Sequence, residues 1–115
     1  MELSFFDPGD APQPRDKVKI EDVRIEPYAD RWRIKISIDV TPFQERPSLE
    51  IRLTGPESRL AAELSVIETM HRKMEFTMHI RGAASPEGAY RAEVDLYYED
   101  RNAPQDRKSV EFEIS

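Results

Sequence analysis

Over residues 31–40 the chain alternates without a break. Trp32, Ile34, Ile36, Ile38 and Val40 share one parity, and Arg31, Arg33, Lys35, Ser37 and Asp39 share the other. A period of two marks a strand with one buried and one wet face. β-Branched residues dominate the buried side, which suits a pleated surface. The remaining segments read as partners for this strand. Residues 17–26 place Val18 and Ile20 on one parity and Val23 and Ile25 on the other, so the slip at Glu21-Asp22 calls for a β-bulge or a change of sheet. With 27–30 as a four-residue turn, Ile25 falls opposite Trp32 and Val23 opposite Ile34. On the wet face Glu26 then meets Arg31 and Asp22 meets Lys35, opposite charges facing as cross-strand pairing favours.

Downstream, Leu49, Ile51 and Leu53 alternate with Glu50 and Arg52, and Gly55-Pro56 punctuates a turn over 54–58. Residues 59–68 fit two patterns. Leu60, Ala62, Leu64 and Val66 have period two, whereas Leu60, Leu64, Ile67, His71 and Met74 make a helical stripe with Ser58 as a possible N-cap. The strand is preferred because its neighbours are unambiguous strands; a helix over 58–71 would give an α+β chain. Met74, Phe76, Met78 and Ile80 predict a fifth strand, Tyr90, Ala92, Val94, Leu96 and Tyr98 a sixth, and Val110, Phe112 and Ile114 a seventh. Loops separate them at 41–47, 69–73, 82–88 and 100–107. Seven short strands with regular turns are the signature of an all-β, antiparallel Greek-key sandwich. The expected core holds Trp32, Ile34, Ile36, Ile38, Phe76, Tyr90, Val94, Leu96 and Phe112. Residues 1–16, with Pro8, Gly9, Pro12 and Pro14, read as an irregular arm before a single domain over 17–115. Phe5 and Phe6 are its aromatic residues. They are expected to tuck against the domain edge, with a docking motif as the alternative.

The run Gly88-Ala89-Tyr90-Arg91-Ala92-Glu93-Val94 resembles the start of the sixth strand in immunoglobulin-like and fibronectin type III-like domains. The resemblance implies an immunoglobulin-like sandwich in which the hydroxyl of Tyr90 bonds back to the backbone of the preceding turn. No cysteine occupies the second or sixth strand.

With 115 residues one domain is the natural reading. Cysteine is absent, which removes disulfides and thiolate chemistry and fits a reducing compartment. The first residues lack a basic n-region, and no apolar run approaches the ~20 residues a membrane helix needs. A cytoplasmic location without membrane association is therefore expected. A formal net charge of −6 argues against nucleic acid or anionic lipid as the main partner. His71 in a turn and His79 on an outward parity are the two histidines, and no HExxH, P-loop or GxGxxG is present. No cofactor, metal site or enzyme activity is expected.

If strands alternate up and down, the loops 41–47, 69–73 and 100–107 share one end, and loops on a rigid scaffold commonly carry function. That end would gather Phe43, Arg46, Met70, His71, Arg72, Arg101, Asn102 and Arg107 as a partner-binding surface. The chain thus reads as a non-enzymatic protein-interaction or structural module whose partner is another protein. The alternative, a small-ligand or carbohydrate-binding sandwich, needs an exposed aromatic platform, for which Tyr97 and Tyr28 are the candidates. One tension remains. Pairing Leu96 with Phe112 and Val94 with Ile114 sets Asp95 opposite Glu113 and Tyr97 opposite Glu111, with Glu93 close by. Hydrated charge, a basic partner, or a hard cation such as calcium held with Glu99, Asp100, Asn102 and Asp106 would each relieve it.

Overall fold

The computed structural model describes residues 11–115, so Phe5 and Phe6 lie outside the described residues. Seven strands follow in order: β1 (Ile20–Pro27), β2 (Arg33–Val40), β3 (Ser48–Thr54), β4 (Leu60–Val66), β5 (Lys73–His79), β6 (Gly88–Tyr97) and β7 (Asp106–Ile114). Single 3-10 turns occur at Arg15–Lys17 and Pro56–Ser58. The strands form two antiparallel sheets, β1-β2-β5 and β4-β3-β6-β7. The connections β2–β3, β4–β5 and β5–β6 cross between them. The fold is an all-β sandwich, and its core is the facing inner rows: Ile34, Ile36, Ile38 and Val40 against Leu49, Ile51, Leu53, Val94 and Leu96.

Residues 60–66 are strand rather than helix, because each of Ala62, Leu64 and Val66 lies opposite a core residue of β3: Leu53, Ile51 and Leu49. Tertiary pairing thus overrides the helix propensity of Ala61-Ala62-Glu63-Leu64. The slip in β1 is a bulge, with the register shifting between Ile20 and Asp22.

Two registers differ from the sequence expectation. In β1–β2, Pro27 pairs with Ile34, so Ile25 faces Ile36 and Val23 faces Ile38. The connection is longer than four residues. Tyr28 N donates to Arg33 O, Arg31 N donates to Tyr28 O, and the Asp30 carboxylate accepts from Trp32 N and Arg33 Nε. Trp32 therefore sits in the turn and is 38% exposed, not in the core. On the wet face Glu26 meets Lys35, and Asp22 comes opposite Asp39. The guanidinium of Arg24 bridges those two acids, which removes the like-charge conflict.

In β6–β7 the strand starts at Asp106, and Asp95 faces Arg107 while Tyr90 faces Phe112. The expected pairing of Asp95 with Glu113 does not exist. Phe76 and Phe112 point to the core but are only half-buried.

The two margins of the sandwich are unlike. Along β1 and β7, Ile20 N donates to Asp106 Oδ2 at 2.7 Å and Lys108 Nζ reaches Glu21 O. Along β4 and β5 no ladder joins the sheets. That margin is tied at one end by Arg81 N to Ala61 O, and Thr69 bonds Met74 Sδ at the other.

Candidate functional site

The β2–β3, β4–β5 and β6–β7 connections do meet at one end, and backbone bonds hold them there. Val40 N donates to Arg72 O at 2.8 Å and Thr69 N to Pro47 O at 2.9 Å, which join the first two, while Gln105 N to Leu96 O at 2.8 Å closes the third on itself. The segment entering β1 is bound into the same end. Gln13 pairs with Phe43, and Gln105 Nε2 donates to Val18 O. Arg15 ties two loops together: it pairs with Glu45 at 2.6 Å and Glu99 at 2.7 Å and stacks over Tyr98. Tyr98 in turn donates its hydroxyl proton to Glu45 O. Burial, then the nearby Glu45 charge, hold the Tyr98 hydroxyl above the usual tyrosine range.

The eight residues expected at this end separate into groups. Arg46, Met70 and His71 line one groove of about 630 Å³, together with Val66, Ile67 and Phe76. Arg101 and Asn102 stand exposed at the tip of 98–105, where Asn102 N bonds Asp100. Phe43 is half-buried and packs on the core. Arg72 is engaged with Val40 O and Glu21. Arg107 is the second residue of β7, just inside the loop end, and lies on the outer face of the four-stranded sheet opposite Asp95. The connection is 98–105, two residues earlier than the 100–107 expected, because polar Asp106-Arg107-Lys108 offers no apolar alternation to follow.

Ile67 is the groove residue that the alternation concealed. It breaks the parity of Leu60, Ala62, Leu64 and Val66, and the doublet Val66-Ile67 is its sequence signal. It is 63% exposed and Met70 is 68% exposed.

Arg107 instead completes a charged cluster. Asp95 is only 2% exposed; its carboxylate accepts from Arg107 Nε at 2.6 Å and from Arg52 Nη2 at 3.0 Å. Arg52 also holds Glu93. Burial by itself raises the Asp95 carboxyl, but the hydrogen bonds from Arg107 and Arg52, with their charges, outweigh it and leave it below the usual carboxylate range. A carboxylate already saturated by guanidinium donors is a poor cation ligand, so the calcium explanation loses its central group. Among the described residues no three His, Cys, Asp or Glu side chains converge as a metal site.

The aromatic platform is also altered. Tyr97 is 8% exposed, and Tyr28 lies beneath the Arg33 guanidinium, 4.4 Å from ring centre, sharing a hydrogen bond with Thr77. No helix of the described residues is long and apolar enough to cross a membrane.

No family model and no curated protein matches this sequence. Solved structures do match in fold. One is a glycosyl hydrolase family 2 member from Bacteroides cellulosilyticus, with TM-score 0.62, 13% identity, and coverage of 84% of this chain and 14% of that one. A second, from Bacteroides cellulosilyticus DSM 14838, has TM-score 0.58, 12% identity and coverage of 84% and 15%. A β-glucuronidase from Bifidobacterium dentium, complexed with coumarin-3-O-glucuronide, has TM-score 0.56, 16% identity and coverage of 84% and 18%. This chain therefore spans under a fifth of the length of each of these three enzymes, and what it shares with them is the β-sandwich fold of a small part of each.

Proposed function

We propose that this chain is a non-catalytic β-sandwich module that binds another protein through its loop end, with the groove of Arg46, Ile67, Met70 and His71 as the contact. The observation that carries this reading is the side-by-side exposure of Ile67 and Met70 in that groove, rimmed by Arg46, Glu68 and Lys73. An apolar centre with a charged rim is the anatomy of a protein interface. The non-catalytic half is supported by coverage: in the matching glycosidases this architecture is a small part of a longer chain. The strand order and the Tyr90 hydroxyl bond to Pro86 support an immunoglobulin-like or fibronectin type III-like membership.

Affinity capture from the encoding organism tests the reading. Wild type and a Glu57→Lys control at the opposite end retain a partner that Ile67→Asp/Met70→Asp loses at unchanged melting temperature. A partner lost only with Glu57→Lys would move the site to the other end.

A carbohydrate-binding role is the second reading, favoured by the glycosidase likeness. With Tyr97 buried and Tyr28 covered, its platform would be the exposed Trp32. Glycan-array binding that disappears in Trp32→Ala would establish it in place of the first.

A further inference from the structure

Among the described residues four large hydrophobic side chains are exposed: Trp32, Leu60, Ile67 and Met70. Leu60, Ile67 and Met70 flank the open margin between β4 and β5. Two grooves run end to end along it. One of about 400 Å³ lies between Leu60–Leu64 and Thr77–His79; the other, at the loop end, continues from Val66 and Phe76. The inward side chains Leu64, Val66 and Phe76 are only part-buried, and among the described residues none covers this seam. On the opposite margin β1 and β7 cover one another.

The backbone of β4 adds to this. β4 is the last strand of its sheet. The Ala61 carbonyl is taken by Arg81, and beyond it no strand among the described residues pairs with the outer edge. Folded proteins blunt such edges with Lys, Pro or short strands. Leu60–Val66 contains neither Lys nor Pro, carries the single charge Glu63, and runs seven residues. The edge of β5, by contrast, carries Lys73, Glu75 and His79.

Charge indicates what fits. Across the wet face the register runs Glu93–Arg52–Glu63. Arg52 is committed to Glu93 and Asp95, and Glu63 enters no ion pair among the described residues. A strand added beyond β4 would continue the alternation with a cation opposite Glu63, which cross-strand pairing favours. A second copy joined β4 to β4 does not supply it, because Leu60–Val66 contains no Lys or Arg. Antiparallel β4–β4 pairing about a two-fold axis sets Glu63 against Glu63, or, two residues along, against Ser65 with the two acids diagonal.

We propose that the β4–β5 seam is a strand-addition site: an extended segment of a partner protein pairs with the free edge of β4, its alternate apolar side chains filling the seam and a Lys or Arg facing Glu63. This rests on the protein-binding reading and names the mode of binding. Main-chain pairing supplies affinity in this mode, and side-chain pockets supply specificity.

The test uses the whole chain and four synthetic peptides. The parent is Ac-Val-Thr-Val-Lys-Val-Thr-Val-amide; the others carry Glu for Lys, N-methyl groups on alternate residues, or Pro for the central Val residues. The parent is expected to bind and to slow hydrogen exchange at the β4 amides that do not pair with β3. Removing its donors by N-methylation weakens binding about tenfold or more. The Glu peptide binds about threefold or more weakly than the parent, and Glu63→Lys reverses that order. Absence of parent binding at millimolar concentration overturns the proposal, as does protection on β5 or β7. A wild-type dimer in sedimentation that the peptide competes away also overturns it, by naming a second copy as occupant. An N-methylated peptide that binds as well as the parent overturns strand addition. That outcome leaves the loop-end interface standing, because the Ile67 and Met70 capture experiment is independent of it.

Discussion

Tyr90 closes the start of β6 from the inside. Its hydroxyl donates to Pro86 O at 2.7 Å, its ring stacks on Phe112 at 5.5 Å, and it is 3% exposed. Tyr90→Phe leaves a carbonyl without its donor, so it should lose about 1–2 kcal/mol, read as a lower urea midpoint at unchanged slope. This residue was legible because the glycine, the turn and the tyrosine are adjacent in sequence. Asp95 was not, since its partners Arg52 and Arg107 come from two other strands. Its carboxyl is lowered in the folded chain. Its contribution is therefore fully present above the unfolded carboxylate pKa of about 3.9 and is lost as pH falls through the lower folded value. Melts between neutral pH and about pH 2 should show an acid limb that Asp95→Asn flattens. Asp95→Lys, harmless if the acid faced Glu113, should instead destabilise by about 2–4 kcal/mol, since it sets a cation between two guanidinium groups. An unchanged midpoint would return the β6–β7 register to the one first expected.

At the scale of elements, alternation told which face of each strand is buried, and packing decided how completely. Ile36 is wholly buried, and Phe76, its partner on β5, is open to the seam. Ile36→Ala should cost about 3–4 kcal/mol, whereas Phe76→Ala should fall short of the roughly 3–5 kcal/mol of a fully enclosed ring. Equal losses in urea would mean the seam is closed in solution. The turn ends are set by contacts no pattern announces. Gly88 has φ +137°, and a Cβ there would stand 2.6 Å from Pro56 Cγ. Gly88→Ala should cost about 2 kcal/mol or more through strain and overpacking together, checked by thermal melting. The turn between β1 and β2 departs from the four-residue expectation for a local reason. Asp30 accepts hydrogen bonds from Trp32 N and Arg33, and Arg31 takes φ 67°, so the connection absorbs residues that alternation had assigned to the ladder.

For the whole molecule, the loop end is a joint built from distant segments. Arg15 spans Glu45 and Glu99 across the three-loop end. All three side chains are well exposed, so Arg15→Ala should leave the melting temperature nearly unchanged. It should nonetheless speed tryptic cleavage at Lys17 and Lys19, because the segment loses its tether; equal cleavage rates would show that Gln13 and Gln105 hold it unaided. By itself, the order of apolar and polar residues determined the number of strands, their inward faces and the break of parity in β1, whereas pairing with β3 decided that 60–66 is strand. The first three are properties of a single strand and its solvent, and a period of two encodes them directly. Only the tertiary structure decided the registers of β1–β2 and β6–β7, the burial of Asp95, the exposure of Trp32, and the open seam between β4 and β5. Each of those depends on which strand lies beside which and on how many residues a turn consumes. Those outcomes arise from hydrogen bonds and charge pairs between residues far apart in sequence, which no local pattern records.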